Sequence, residues 1–540
     1  MTNDVSSHSS PRSELYVYLF FIVIFFFQLL IVSPRGNFPL NDDWAHTLTI
    51  YHYVNSGELL YPQWLSTFSY IPILYGIFIS EIGHFSFSLL RLTNLFFGFG
   101  CVLLLYSWLR FRGLTRSVAV GAGIVLWAYP IFFNLSYTFM GDIPALFFVI
   151  LSFFLFDRSF ERNSAREYWL GALAAMGGFF IRQIPILLIP AVVLHGLATK
   201  RFTVRQAAVR FFAPALVVAV IVLVLSQLQL LPGHVTARLL PEGWSYMQRM
   251  LNNAWQFLLL ISLCVAPFTI SALMKNGSWL KQRLLWMLVV SAGISVYIAE
   301  LNGSGFPALG NIITTYGLGP VSVLQGMISH WGNLYLYAAL HIVLAFNAGL
   351  LMFIVIRNRS ILSLHRYGSA IFYLILYMLL ILPTQSFDRY VLLILPVAIL
   401  CIASLVNEMQ WSRLFFVLTV TCVLFWSMVG TYNYLMWNQA RWKLGERLVA
   451  KGVPTAALEG GYEWNGWYLY ARTVARPLGN YTPVWAPWYV QELFPGHPMT
   501  YILAFSPLGG YEVIDKEPTH GFFTNVPYIY ANEIRPGSLR

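Results

Sequence analysis

Long apolar runs recur along the first 430 residues of the chain, and short polar stretches separate them. A helix needs about 20 predominantly apolar residues to cross the hydrocarbon core of a bilayer. The runs and their interruptions predict a polytopic α-helical membrane domain over residues 1–431. Its thirteen predicted spans lie near residues 15–33, 87–109, 117–133, 140–156, 169–182, 184–197, 211–230, 254–274, 284–299, 334–356, 367–383, 391–406 and 414–431.

The composition agrees with a membrane protein and excludes a soluble globular enzyme. Hydrophobic residues make up 58% of the 540 residues, and only 10% are charged, against roughly a quarter in an average soluble protein. The net charge of +11 does not indicate a nucleic-acid partner, because Lys and Arg lie in short loops between apolar runs and form no basic stripe or tail. The four cysteines all fall inside predicted spans, so they indicate neither a disulfide framework nor a zinc site.

The basic residues predict the orientation of the chain. The first apolar run has no small-residue cleavage site and leads into further spans, which is typical of an uncleaved signal anchor with a cytoplasmic N-terminus. In this orientation 18 of the 33 Lys and Arg residues lie on the cytoplasmic face and six on the opposite face or its span ends, as the positive-inside rule expects. Without eukaryotic retention signals, we expect a multi-pass protein of a bacterial inner membrane.

Two short predicted spans, 169–182 and 184–197, allow one alternative. A single tilted helix through both would place the basic residues of segment 200–210 outside. The charge distribution therefore favours two spans with Pro185 in the outer bend, where a residue that cannot continue helical hydrogen bonding is tolerated.

Residues 432–540 differ in character, with mixed charges and frequent Gly and Pro. They predict a small extracytoplasmic domain of α/β or α+β type. We expect a helix over 438–451 and strands over 455–462, 467–472 and 501–505.

Charged residues near the membrane are candidates for function, because they are costly there. Those at the predicted outer ends of the spans come from six or more segments: Asp42, Asp43, Glu58, Glu81, Arg91, Asp142, Arg182, Glu300, Asp388 and Arg389. A transporter or flippase should instead carry polar groups near the midplane and in repeated halves. The distribution therefore favours a site that faces outward.

The first outer loop, residues 34–86, contains the segment FPLNDDWAH over 38–46, followed by apolar residues at helical spacing. The pattern predicts a short interfacial helix that ends near Gly57. Asn41 and Asp42 could serve only as caps that accept hydrogen bonds from its first turn. Alternatively, one carboxylate acts as a general base on an acceptor hydroxyl, and both interpretations stay open from the residues alone.

The chain resembles the GT-C glycosyltransferases of the family 39 type, which include protein O-mannosyltransferases and the lipid A aminoarabinose transferase. The resemblance rests on the acidic pair Asp42-Asp43, on FMGDIPAL over 139–146 and on SFDRYVLLILP over 386–396, with the predicted span count and outer C-terminal domain. It covers about residues 1–430. Where the commonest form of the pair is Asp-Glu, this chain has Asp-Asp followed by Trp-Ala-His.

The resemblance implies an inverting transfer of one sugar from a polyprenyl-phosphate donor to the hydroxyl of a glycan, glycolipid or protein. Asp42 or Asp43 is the implied base, and alignment of the first acid favours Asp42. Arg182 and Arg389 are the implied phosphate ligands, although each could instead pair with Asp142 or Asp388. The implied supporting or acceptor-binding residues are His46, Asp142, Asp388 and Glu300.

Several expectations remain open at this stage. No cofactor is assigned, and a divalent cation held by Asp142 together with the acidic pair is left open. The glycine-rich segment 300–333 is a candidate lid that contacts the prenyl chain through residues 324–328. The tryptophans at 464, 467, 485 and 488 are candidates for stacking on an acceptor sugar. The alternative functions are a transporter or flippase of lipid-linked saccharides and a saccharide ligase or polymerase.

Overall fold

The computed structural model of the chain describes residues 11–62, 64–65, 67–231, 244–277, 282–302, 310–331, 334–384, 386–476, 478–479 and 482–535. Its helices, numbered in chain order, are α1 Pro11–Ile31, α2 Asp43–Ser56, α3 Tyr70–Gly83, α4 Phe87–Phe111, α5 Arg116–Ala128, α6 Pro130–Ser136, α7 Asp142–Arg162, α8 Ala165–Phe179, α9 Leu188–Ala198, α10 Val204–Gln227, α11 Trp244–Lys275, α12 Gln282–Asn302, α13 Leu334–Arg357, α14 Leu364–Ile381, α15 Leu395–Asn407, α16 Arg413–Ala450, α17 Tyr462–Ala475 and α18 Trp488–Leu493. The strands are β1 Ile313–Thr314, β2 Gly317–Leu318, β3 Leu458–Glu459, β4 Tyr501–Ala504, β5 Tyr511–Pro518 and β6 Tyr528–Ile534.

Every predicted span falls on helix, but the count of thirteen is not reached. Within the described ranges, nine helices are long and apolar enough to cross a membrane, or ten if the bent pair α5–α6 is one span. The other predicted spans fall on helices that do not meet these requirements of length and hydropathy: 169–182 on α8, 184–197 on α9 and 284–299 on α12. A large apolar cluster fills the space between the helices, as expected for a multi-helix bundle.

Two breaks in the helices shape the end of the bundle that carries residues 34–86. Pro130 begins α6 directly after α5, and the two helices meet at 65°, because proline cannot donate the hydrogen bond that would continue α5. The second break, between α8 and α9, confirms the two-helix interpretation and contains a short 3-10 helix that includes Pro185. Residues 180 and 181 in this break accept the backbone N–H groups of Tyr70 and Ser69, so the first outer loop is attached to it.

The helix predicted over 438–451 is not separate from the last span. Both belong to α16, a continuous helix of 38 residues. Its N-terminal part lies in the membrane-spanning region, and its C-terminal part packs on β5 and β6. The C-terminal region is therefore joined to the bundle through one continuous helix.

The C-terminal residues form a four-stranded sheet of order β3-β4-β6-β5, in which β3–β4 is parallel and the other pairs are antiparallel. The strand predicted over 501–505 is confirmed by β4. The strand predicted over 467–472 is wrong, because these residues belong to α17, whose buried positions Leu469 and Tyr470 follow Asn465 at helical spacing. The strand predicted over 455–462 is reduced to the two residues of β3.

The segment between α12 and α13 packs on the C-terminal sheet. Gln325 accepts the backbone N–H of Phe505 at 2.9 Å and pairs with Ala504 in a parallel bridge. Leu324 is buried in the apolar cluster of the C-terminal region, whereas Met327 is 83% exposed, and the contact of residues 324–328 with a prenyl chain stays a prediction. Residues 303–309 and 332–333, together with the side chain of Glu300, lie outside the described residues.

Candidate active site

The two aspartates at the start of α2 have different surroundings. Asn41 has a positive φ of 53°, and α2 begins two residues later at Asp43. Asp43 is buried, and its carboxylate accepts the backbone N–H groups of Leu40 and Phe139. Asp42 makes no side-chain cap hydrogen bond, so the interpretation of this residue as a mere cap is wrong.

Burial favours the neutral, protonated form of the Asp43 carboxyl group. Loss of solvation raises the pKa of this carboxyl group to about 8, although the Arg91 guanidinium and the N–H groups of Leu40 and Phe139 act in the opposite direction. Its two backbone contacts join the beginning of α2 to the segment before α7. Asp43 therefore holds the first outer loop on the bundle.

Asp42 faces a more open environment and contacts distant parts of the chain. Both terminal nitrogens of Arg389 lie 3.2 Å from its Oδ2 atom, and the Tyr462 hydroxyl donates a hydrogen bond of 2.7 Å to its Oδ1 atom. The Trp64 indole donates in turn to the Tyr462 hydroxyl at 2.6 Å. The Asp42 side chain is 29% exposed and the Arg389 side chain 10%, so the carboxylate is the accessible member of the pair.

A second ion pair lies close to the first. Arg182, in the break between α8 and α9, donates to Asp142 at the start of α7 over 2.7 Å. The guanidinium carbons of Arg182 and Arg389 lie 5.7 and 5.9 Å from the centre of the Tyr390 ring. The Nε atoms of both arginines are buried without a partner in the described residues. Two cations thus meet at one aromatic ring.

His46 lies one turn along α2 from Asp42 and is buried. Burial lowers the pKa of its imidazole to about 4, and the charges of Asp42, Arg182, Asp142 and Arg389 all act on it. The imidazole is therefore neutral at neutral pH. Its Nδ1 atom has no hydrogen-bond partner among the described residues.

The alternative pairing of Arg389 with Asp388 is wrong. The Asp388 carboxylate accepts the backbone N–H groups of Ile312 at 2.9 Å and Ile313 at 2.7 Å. Neighbouring residues of the 3-10 helix that precedes α15 point in different directions. Asp388 therefore binds the segment between α12 and α13, while Arg389 points toward Asp42. The proposed pairing of Arg182 with Asp142 is confirmed.

The C-terminal region completes the site through the start of α17. Glu463 accepts the backbone N–H of Asn41 at 2.8 Å and forms an ion pair of 2.9 Å with Arg441, in which both side chains are fully buried. Neither Tyr462 nor Glu463 was identified from the sequence. Both lie more than 400 residues from the acidic pair, and no local signal in the sequence connects them.

The four tryptophans that are candidates for stacking on an acceptor sugar differ in exposure. Trp464 is fully buried against Trp442 of α16, and Trp467 stacks on Phe85. Trp485 and Trp488 are exposed, and the Trp488 ring lies 5.2 Å from that of Tyr462. Trp488 therefore lies against the tyrosine that donates a hydrogen bond to Asp42.

The described residues contain no group of three or more His, Cys, Asp or Glu side chains that could hold a metal ion. Arg389 and Arg182 neutralise Asp42 and Asp142 instead.

Comparison with known proteins gives a family match and several structural matches. The family model described as dolichyl-phosphate-mannose-protein mannosyltransferase matches residues 73–230. ArnT from Cupriavidus metallidurans has a similar structure, with 11% identity in its complex with undecaprenyl phosphate and 12% in its apo state; each comparison covers 98% of this chain and 100% of that chain at a TM-score of 0.42. No curated protein sequence matches the chain.

The matched segment runs from α3 to α10 and includes Asp142 and Arg182. It contains FMGDIPAL, one of the motifs on which the resemblance was based. The match confirms that resemblance: over residues 73–230 the chain is similar to the protein mannosyltransferases of the GT-C glycosyltransferase class.

Proposed function

We propose that this protein is a membrane glycosyltransferase that moves one sugar from a polyprenyl-phosphate donor to the hydroxyl of a glycan, glycolipid or protein. The observation that carries the proposal is the accessible Asp42 carboxylate, set beside Arg389 and the Arg182–Asp142 pair. The name of the matched family describes a donor of the same chemistry. The predicted orientation places the reaction on the extracytoplasmic face of the membrane.

Asp42 is the proposed general base. The acceptor hydroxyl attacks the anomeric carbon of the donor sugar, its proton passes to Asp42, and the bond between the anomeric carbon and the phosphate oxygen breaks with inversion. The hydrogen bond from Tyr462 fixes one carboxylate oxygen. Asp43 is unsuited to this role, because both of its oxygens already accept backbone hydrogen bonds and the residue is buried.

Arg389 and Arg182 are the proposed ligands of the donor phosphate. Negative charge develops on the phosphate as it leaves, and a guanidinium group stabilises it best through charge-assisted hydrogen bonds. Each guanidinium group carries more N–H donors than its ion pair with Asp42 or Asp142 uses. His46, held neutral by burial, adds no further charge and can support the acceptor.

The decisive experiment compares Asp42→Asn with Glu58→Gln, a matched loss of charge at an exposed position in the same loop. The purified proteins are given a radiolabelled polyprenyl-phosphate sugar and membrane extract as the source of acceptor. We expect Asp42→Asn to lower turnover about 100- to 10,000-fold while equilibrium binding of the donor persists. Full turnover in a correctly folded Asp42→Asn protein would exclude Asp42 as the base.

A transporter or flippase of lipid-linked saccharides is the alternative of another class. In proteoliposomes with labelled donor in one leaflet, the proposed enzyme produces a glycosylated acceptor and free polyprenyl phosphate. A flippase would instead deliver the intact donor to the other leaflet. A ligase or polymerase would use the same base but transfer a larger saccharide, which the size of the labelled product reveals.

A further inference from the structure

One cavity in the bundle is lined by none of the candidate active-site residues. It has a volume of about 600 Å³ and lies between the first turns of α5 and α16. It is lined by Arg116, Ser117, Val120, Gly121, Ile124, Trp411, Arg413, Phe416 and Val417. No part of the proposed transfer reaction uses these residues.

The cavity and the candidate active site lie at opposite faces of the membrane. Arg413 and Arg441 belong to the same unbroken helix, α16, and their separation corresponds to about 42 Å along its axis. Arg441 pairs with Glu463, whose neighbour Tyr462 contacts Asp42. A distance of this size matches the full thickness of a bilayer including its headgroups, so the cavity lies at the predicted cytoplasmic headgroup level.

The polar end of the cavity is complementary to an anion. Arg116 and Arg413 are the first residues of their helices, where a cation is unfavourable because the helix dipole is positive there. Arg413 is exposed and has no ion pair within the described part of the chain. Arg116 contacts Ser13 and Glu14 through Nη2, but its Nε atom is buried without a described partner.

Topology alone does not account for this arrangement. The positive-inside rule explains why basic residues collect at this face, but it does not bring two of them into one cavity at two helix N-termini. Neither preceding residue, Thr115 or Ser412, makes a side-chain cap hydrogen bond. The first amides of both helices thus add their partial positive charge to that of the two guanidinium groups.

The rest of the cavity is apolar and belongs to the surface that faces lipid. Val120, Gly121 and Ile124 of α5 face Phe416 and Val417 of α16, and Val417 is exposed on a membrane-spanning helix. Gly121 makes the close approach possible, since a Cβ atom there would lie 3.1 Å from the Phe416 ring. We propose that the cavity binds an anionic glycerophospholipid, with its phosphate between Arg116 and Arg413 and an acyl chain along these apolar residues.

The test measures the thermal stability of the full-length protein in detergent after addition of phosphatidylglycerol, phosphatidylcholine or inorganic phosphate. A ligand that binds only the folded state raises the midpoint of unfolding. We expect phosphatidylglycerol to raise it by at least about 3 °C and the other two additions to raise it by clearly less. An equal shift with phosphatidylcholine, or with inorganic phosphate alone, would overturn the proposal of an anionic lipid.

Variants then locate the effect. Arg413→Gln removes an exposed cation of the cavity, and Ser117→Trp fills its entrance from an exposed position. Both should lose most of the phosphatidylglycerol shift, whereas Arg359→Gln, an exposed arginine outside the cavity, should keep it. If Arg413→Gln and Ser117→Trp keep the full shift, the lipid binds elsewhere and the proposal is wrong.

Discussion

The hydroxyl group of Tyr462 lies 2.7 Å from Oδ1 of Asp42 and donates a hydrogen bond to it. This bond joins residues from opposite ends of the chain. Arg389 approaches the other oxygen of the same carboxylate, so three separate segments fix the orientation of the proposed base. The predictions below test what each contact contributes.

Tyr462→Phe should lower turnover and leave the donor KM nearly unchanged. A hydrogen bond to a charged group contributes about 2 kcal/mol, which corresponds to about 30-fold in rate if the bond is needed to position Asp42. Steady-state kinetics with labelled donor measures the effect. Tyr468→Phe is the control, since Tyr468 lies on the same helix and, among the described residues, makes aromatic contacts only with Trp464 and Trp442. Equal turnover of both variants would remove Tyr462 from the mechanism.

Arg182→Gln should weaken donor binding more than it slows the chemical step. The variant loses a cation at the proposed phosphate position, and charge-assisted contacts of this kind are worth about 10- to 100-fold in affinity. Equilibrium binding of labelled polyprenyl-phosphate sugar checks this expectation. Arg35→Gln is the charge-matched control, because Arg35 is exposed in the first outer loop and only its backbone N–H makes a described hydrogen bond. Unchanged donor affinity in Arg182→Gln would contradict the phosphate role.

Glu463→Gln should destabilise the protein. Arg441 would remain buried without its counter-charge, and loss of one partner of a buried ion pair typically costs about 3–5 kcal/mol. Thermal unfolding monitored by intrinsic fluorescence gives the change. The double variant Arg441→Met/Glu463→Leu should recover part of the loss, since it removes both buried charges. A wild-type unfolding midpoint in Glu463→Gln would show that the pair adds little stability.

Acidification should destabilise the protein through His46. Its pKa falls from 6.5 when unfolded to about 4 in the folded protein. The contribution of this residue is present above pH 6.5 and is lost as the pH falls toward 4, because the unfolded state then binds the proton more readily. The full difference corresponds to about 3 kcal/mol. The drop in unfolding midpoint between pH 7.5 and pH 5 should be smaller in His46→Gln than in wild type, and an equal drop would refute the assignment.

The membrane bundle was well predicted from the sequence, because a long apolar run can be recognised from consecutive residues alone. Apolar runs such as 87–109 fall on α4, and the charge pattern correctly divided α8 from α9 at Pro185. The α17 region was misread as a strand, because its aromatic residues have high strand propensity while contacts with α16 and the first loop favour a helix. In α17, contacts with distant segments therefore outweigh the local preference for a strand.

The site was predictable only in part. Asp42, Asp142, Arg182 and Arg389 were identified as charges at predicted span ends, and the structure brings them together. Which aspartate is accessible depends on the backbone turn at Asn41 and on partners such as Tyr462, hundreds of residues away. Adjacent residues of the same type carry no signal that could separate them in advance.

The continuity of α16 limits how the protein can be divided for experiment. A truncation after residue 431 would cut a helix in its middle and leave its last four carbonyl groups without intrahelical partners. It would also uncover the aromatic surfaces of α2 that now pack on α17, such as Trp44. A bundle prepared in this way would also lose Tyr462 and Glu463, so a loss of activity in it would not show which contact the reaction needs.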